Sequence, residues 1–186
     1  RVWQWAAARE SAPWRRALAL TFGGIVIVGT LGWAWAFTAI YRQPHSRIEA
    51  SKWIYAHVPA GAVLAIEHWD DALPLRIDGK DGATIYRKVE LPNYAEDTPE
   101  KLEVILDALG RADYVILSSN RLVASIPRLP MRYPMTTLYY RHLLAGDLGF
   151  RRVAEFTSYP TLLGLAIPDQ GAEEAFSVYD HPRVQV

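Results

Sequence analysis

Residues 17–41 read ALALTFGGIVIVGTLGWAWAFTAIY, and none of these 25 side chains carries a charge. Arg15 and Arg16 bound the stretch on one side and Arg42 on the other. At about 1.5 Å per residue, such a helix exceeds the roughly 30 Å of bilayer hydrocarbon. Core helices of soluble proteins rarely run this long without a charge. A cleaved signal anchor has a shorter apolar run and does not end in aromatic residues. The stretch therefore reads as a transmembrane helix. Trp33, Trp35 and Tyr41 near its end, and Trp14 before its start, read as interface belts, because indole and phenol rings prefer the headgroup zone. Gly23, Gly24, Gly29 and Gly32 are many glycines for one helix, and Ala36 lies one turn beyond Gly32. Gly29, Gly32 and Ala36 thus form a candidate face for packing against other transmembrane helices.

Charge divides the chain into three parts. Residues 1–16 hold four arginines against Glu10 alone, residues 17–41 hold none, and residues 42–186 carry a net charge of −3. The arginine pair before the helix favours an N-terminus inside the cell and the large C-terminal region outside. Residues 1–16, with Trp3, Trp5 and Trp14 among arginines, read as an interfacial segment on the cytoplasmic side. The C-terminal part is near neutrality and has no Lys/Arg cluster, which excludes nucleic acid as a partner. There is no cysteine, so disulfides, thiolate metal sites and cysteine nucleophiles are excluded. The chain begins with Arg1, which reads as a fragment or a processed product.

Beyond Pro44 the pattern alternates between helix and strand. Ser46 with Glu49 reads as a capping box that opens a helix to about His57. Ala62–Glu67 has the length and composition of a buried strand, and Thr84–Leu91 alternates loosely as another. Thr98–Pro99 opens a helix with Leu102, Ile105, Leu106 and Leu109 on one apolar face, closed by Gly110. Tyr114–Leu117 reads as a short strand, Asn120–Ile126 as a helical turn or two, and Pro134–Ala145 as a helix closed by Gly146. Phe150–Phe156, Ala175–Tyr179 and Arg183–Val186 read as strands. The order predicts an α/β protein: one N-terminal transmembrane helix, then a single three-layer α/β domain over residues 42–186 with a mostly parallel sheet. No glycine-rich phosphate loop follows any strand, and Gly79–Lys80–Asp81–Gly82 is a turn signal.

The sharpest chemical cluster is Glu67, His68, Asp70 and Asp71. In α/β sheets, ligands bind outside the carboxyl ends of strands, where this group falls. It reads either as an acidic site for a divalent cation or a general base, or as a polar loop that caps the next segment. No companion motif assigns a metal or a cofactor. Asp180–His181 could make an acid–base pair, with Ser118, Ser119 or Ser125 as hydroxyl, but no Gly-x-Ser-x-Gly elbow is present, and His181 before Pro182 reads more simply as a turn residue. Arg128, Arg132 and Arg141, set around Tyr133, Tyr139 and Tyr140, read as an anion-contacting patch or as a solvated surface whose aromatic stems pack inward.

Dispersed short motifs then accumulate: Trp53–Ile54–Tyr55, Val58–Pro59–Ala60–Gly61, His68–Trp69–Asp70–Asp71–Ala72–Leu73–Pro74, Ala112–Asp113–Tyr114, Ser118–Ser119–Asn120–Arg121, Arg132–Tyr133–Pro134, Tyr139–Tyr140, and Phe176–Ser177–Val178–Tyr179–Asp180–His181–Pro182. From about Ala17 onward the chain resembles the last membrane helix and extracytoplasmic tail of bacterial family 39 glycosyltransferases, the protein-O-mannosyltransferase-like group, and related multi-spanning proteins. The resemblance implies transfer of a sugar from a polyprenyl-phosphate carrier at the bacterial cell membrane. It implies catalytic acids in an early extracytoplasmic loop between the first helices, a loop this sequence does not contain. No catalytic residue is therefore carried over, and the part present is expected to be non-catalytic. The alternative expectation is a non-catalytic single-span subunit of a larger membrane complex, of the electron-transfer or light-harvesting type.

Overall fold

The computed structural model describes residues 13–186. Most of the expected interfacial segment, with Trp3 and Trp5, lies outside the described residues. The first element is helix α1, Pro13–Phe37, followed by a tighter 3-10 turn at Thr38–Arg42. The Thr38 hydroxyl donates to the Trp35 carbonyl at 2.7 Å, and the Arg42 guanidinium lies 5.0 Å from the centre of the Trp35 ring. Ile25, Val26, Ile27 and Val28 are consecutive and all exposed, so α1 is apolar on every side. A helix apolar all round has no face suited to water. It is the one helix among the described residues long and apolar enough to cross a membrane.

The remaining chain is a mixture of helices and strands around a small parallel sheet. Helix α2 is Ser46–His57, α3 Gly82–Ile85, α4 Pro99–Arg111, α5 Arg121–Ser125, α6 Pro134–Ala145 and α7 Glu174–Ser177. The strands are β1 Val63–Glu67, β2 Arg87–Leu91, β3 Tyr114–Ile116, β4 Glu155–Phe156, β5 Thr161–Leu162, β6 Leu165–Ala166 and β7 Val184–Gln185. Parallel strands run in the order β2-β1-β3, with Val63 opposite Arg87 and Leu64 opposite Tyr114. Leu117 then exchanges two antiparallel hydrogen bonds with Gln185, at 3.0 and 2.9 Å, and β7 pairs antiparallel with β4. The C-terminus thus continues the sheet beyond β3 in the opposite sense.

Strand β1 is buried at all five positions, as a central strand covered on both faces must be. Its side chains alternate between two cores. Leu64 and Ile66 join Ile116 and Val184 against Ala50 and Ile54 of α2 and Val58 just after it. Ala65 joins Leu91, Val115 and Leu117 against Ile105 and Ala108 of α4 and Tyr139 and Tyr140 of α6. Full burial of one such side chain as Ile54 contributes roughly 1.5–3 kcal/mol.

Several local expectations are corrected. Helix α2 is capped by His45, whose Nδ1 accepts from the Arg47 N–H at 3.2 Å. Ser46 lies inside the helix and donates instead to the Pro182 carbonyl at 2.5 Å. Thr98 does cap α4, but the buried face of that helix is Lys101, Ile105 and Ala108, while Leu102 and Leu106 are exposed. The helix turns this way because the Lys101 ammonium has four buried or half-buried acceptors waiting: Asn93 O, Ala95 O, Asp97 Oδ1 and Thr136 Oγ1, at 2.6–2.9 Å. Gly110 lies within α4, which ends at Arg111. Thr84 and Ile85, the start of the expected second strand, belong instead to the short helix α3, which Asp81 caps by accepting from the Ala83 N–H at 2.9 Å. Residues 175–179 are not a strand: Glu173 accepts from the Ala175 N–H at 3.0 Å and opens the short helix α7. Of Phe150–Phe156, only Glu155–Phe156 forms a strand, although Val153 and Ala154 before it still exchange backbone hydrogen bonds with Val186 at 2.8–3.2 Å.

Candidate functional site

The C-terminal ends of β1 and β3 lie at the end of the domain from which α1 emerges. Arg47, in the first turn of α2 and five residues past the 3-10 turn, reaches both strands there. Its Nε donates to the Ser118 carbonyl at 3.2 Å, and its terminal nitrogens meet Asp70 Oδ1 at 2.9 Å and Asp71 Oδ2 at 2.8 Å. The Asp70 side chain is 1% exposed and accepts a further short hydrogen bond from the Ser119 hydroxyl. Ser118 Oγ donates to the Asp71 carbonyl at 2.5 Å. Arg121 at the start of α5 donates to the Trp69 carbonyl at 3.0 Å, so the same loop is held from the other side.

Trp69 makes this arrangement possible. Its φ of +74° turns the chain sharply after β1. The turn separates the four residues of the acidic loop. Glu67 ends β1 and is buried on the side of α6. His68 projects outward, half exposed, and pairs with Glu90 at 3.0 Å. Asp70 and Asp71 swing toward α2. Among the described residues, no three His, Asp or Glu side chains gather into a cation-holding group. The loop's polar side chains mainly tie secondary-structure elements together.

Glu67 is 2% exposed, and its partners are neutral. Asn93 Nδ2 donates to its Oε1 at 3.1 Å, and the Tyr140 hydroxyl donates a short bond to the same oxygen. Asn93 Nδ2 also reaches Tyr140 Oη at 3.0 Å, closing a triangle. Burial pushes the Glu67 carboxyl up to about 7, against the opposing pull of the Tyr140 and Asn93 hydrogen bonds. Burial first, and the Glu67 charge second, raise Tyr139 and Tyr140 above the ordinary phenol range. Glu67 Oε2, Asn93 Oδ1 and the Tyr139 hydroxyl have no protein partner although buried. A buried carboxyl titrating near neutrality is able to hold or release a proton at ordinary pH.

A third group links this end of the sheet to α1. His181 is fully buried; its Nε2 pairs with Asp169 Oδ2 at 2.7 Å, and its ring meets Phe37 and Phe176 edge-on at 5.7 and 5.8 Å. Gln170 accepts from Asn120 Nδ2 at 2.6 Å, and Arg183 donates to Asn120 Oδ1 at 3.2 Å. His181 therefore pairs with Asp169, not with the adjacent Asp180. Ser119 is engaged by Asp70, and Ser125 donates to the Arg121 carbonyl, so none of the three serines faces an imidazole. No family, curated protein or solved structure matches the chain.

Other sequence candidates separate as well. Tyr133, Tyr139 and Tyr140 are buried, and only Arg132 of the neighbouring arginines lies over one of these rings, 5.2 Å from Tyr133. On α1, a Cβ built at Gly24, Gly29 or Gly32 would meet nothing within 4 Å, so that side is open. Ala36, grouped with Gly29 and Gly32 by spacing, is fully buried within the chain and offers nothing to a neighbouring helix. A cleft of about 680 Å³ lies along β3 and the end of α6, and none of the acidic-loop residues lines it. Arg47, Asn93 and Lys101 escaped the sequence reading. Each sits in a polar or helical context that looks ordinary until the fold supplies its distant partner.

Proposed function

We propose that this chain is the membrane-anchored, non-catalytic part of a bacterial glycosyltransferase that uses a polyprenyl-phosphate sugar donor. Residues 42–186 act as a three-layer α/β domain on the extracytoplasmic side, over the place where α1 leaves the bilayer. The observation that carries the reading is the fate of the strand-end carboxylates. Asp70 is spent on Arg47 and Ser119, and Glu67 on Tyr140 and Asn93. Asp70 so enclosed ties the strand ends to α2 just past the membrane helix, Glu67 is locked in the core, and both are poorly placed to deprotonate an acceptor. A single helix also cannot enclose a cavity for a lipid-linked sugar, so transfer requires further helices. The open glycine side of α1 supports such neighbours, since close packing needs small residues.

The decisive experiment joins two readings of the same protein. The 186-residue chain, purified in mild detergent, is assayed with polyprenyl-phosphate sugars, and the coding sequence upstream of Arg1 is read. The expected result is no turnover by the chain alone, with several apolar spans and an acidic first loop encoded upstream. Turnover by the partner-free chain would overturn the non-catalytic assignment. A start codon close to Arg1, with no such spans, would replace the glycosyltransferase with a single-span subunit of a larger membrane complex. A reporter fused after Val186 that is active only in the cytoplasm would reverse the orientation.

A further inference from the structure

Outside α1, the longest stretch of the chain without Asp, Glu, Lys, Arg or His is residues 156–168, FTSYPTLLGLAIP. It contains the β5–β6 hairpin, in which Leu162 pairs antiparallel with Leu165 across the two-residue turn Leu163–Gly164. Both turn residues have left-handed backbone, with φ of +51° and +83°. Such turns favour Asn-Gly or Asp-Gly, because short polar side chains tolerate positive φ and suit water. Here the first position is Leu, and its side chain is 93% exposed; Leu165 beside it is 74% exposed. In water this choice is unfavourable twice over, in backbone strain and in bare apolar surface.

The position of the hairpin resolves the conflict. Strand β5 packs against α1 and against the 3-10 turn that follows it. The hairpin therefore stands beside the apolar helix and the 3-10 turn, Thr38–Arg42, through which the chain leaves that helix. Phe176 of α7, partly exposed, approaches the same level, with its ring 5.5 Å from Phe37. We infer that the β5–β6 hairpin is a membrane-inserting element whose tip, Leu163 to Leu165, lies in the headgroup–acyl boundary of the leaflet that α1 leaves. The occupant of this apolar surface is lipid. A protein partner fits it less well, since binding hot spots are rich in Trp, Tyr and Arg, and the tip offers only aliphatic side chains and glycine. Shallow burial of this kind reaches about 5–10 Å into the interface, which a hairpin tip can do without taking a charge with it. The second contact would fix the tilt of the domain over the membrane, which one helix and one 3-10 turn do not.

The inference rests on α1 crossing the bilayer, and its test separates the two. The chain has no cysteine, so Leu163→Cys, Val28→Cys and Asp107→Cys each give one labelling site for an environment-sensitive fluorophore. Leu163 is so exposed that its replacement removes little packing. The full chain is reconstituted into phosphatidylcholine–phosphatidylglycerol vesicles carrying lipids spin-labelled at shallow or deep acyl positions. The expected result is a blue-shifted Leu163 probe, quenched most by the shallow label and protected from iodide. Val28 should respond to the deep label and Asp107 to iodide. A Leu163 probe as open to iodide as the Asp107 probe, with Val28 still lipid-quenched, would overturn the hairpin assignment and leave the span intact. Protection of Leu163 from both quenchers would overturn it in favour of a protein contact. If lipid labels fail to quench Val28, the span and the hairpin assignment fall together.

Discussion

Glu67 and Asp70 lie three residues apart at the end of β1, and water reaches almost none of either side chain. Glu67 faces an amide and a phenol, whereas Asp70 faces a guanidinium and a hydroxyl. The loss of water falls on both, but only Asp70 has a cation to offset it. Glu67 answers by holding its proton more tightly, up to about 7. The core side of the loop is thus nearly neutral, and the side next to α1 stays charged and tied. Burial alone does not decide what a carboxylate does; the partner brought by the fold decides it.

The largest effect is expected on the charged side. Arg47→Met removes three interactions at once and leaves Asp70 buried without a cation. Breaking a buried pair from one side costs about 3–5 kcal/mol, and a loss of that order is expected in thermal or denaturant unfolding of the full chain in mild detergent. Adding Asp70→Asn to this variant should recover part of the loss, because the orphaned charge is gone. Equal stability of the two variants would mean that Asp70 is not the group left stranded.

Glu67 should behave in the opposite way. Its folded pKa lies above the unfolded value, so its contribution is fully present below about pH 4.5 and is lost as pH rises through about 7. Asp97 supplies the contrary limb. Burial raises its pKa, but the Lys101 and Thr136 hydrogen bonds outweigh this and hold it low, so its contribution is lost as pH falls. Glu67→Gln removes the first dependence and leaves the second. The expected gain above pH 7 is on the order of 3 kcal/mol, because each tenfold change in proton affinity is worth about 1.4 kcal/mol, and no gain is expected at pH 4.5. Parallel stability–pH curves for the two proteins would sink the assignment.

Tyr140→Phe sharpens the contrast at smaller scale. It deletes the hydroxyl that donates to Glu67 and accepts from Asn93. A loss of about 1–3 kcal/mol is expected above pH 7, where the carboxylate most needs a donor. The deficit should shrink on acidification, as the protonated carboxyl depends less on it. A pH-independent deficit would point to lost packing alone.

Much of this was legible in the sequence because it depends on neighbours along the chain. The uncharged run of α1, the Thr98–Pro99 helix start and the Gly146 stop, with φ of +83°, all declare themselves within a few residues. The face of α4 did not, because a leucine spacing outvoted Lys101, whose acceptors come from residues 93–97 and from Thr136. The Glu67–Asp71 cluster was located correctly as a strand-end group, but its division into a neutral and a charged half depends on Tyr140 and Arg47, far away in sequence. The hairpin at 161–166 was missed because strands of two residues leave no alternation to detect.

The smallest effect is expected at His68, and it tests the comparison from its bland side. His68 stood in the sequence beside Glu67 and Asp70, with as good a claim to chemistry as either. The fold leaves its side chain half exposed, paired with a Glu90 carboxylate that is itself well exposed. A polar pair in that setting is screened by water and salt and gains at most a fraction of a kcal/mol after side-chain ordering. His68→Ala should therefore change stability by no more than about 0.5 kcal/mol. A double-mutant cycle with Glu90→Ala should give a coupling of similar size that weakens as salt is added. The same substitution should leave the pH profile carried by Glu67 in place, since the two side chains leave the strand end in different directions. A large His68 effect, or one that removes the Glu67 titration, would mean that the loop acts as one unit. The division between a neutral core half and a charged half beside α1 would then fail.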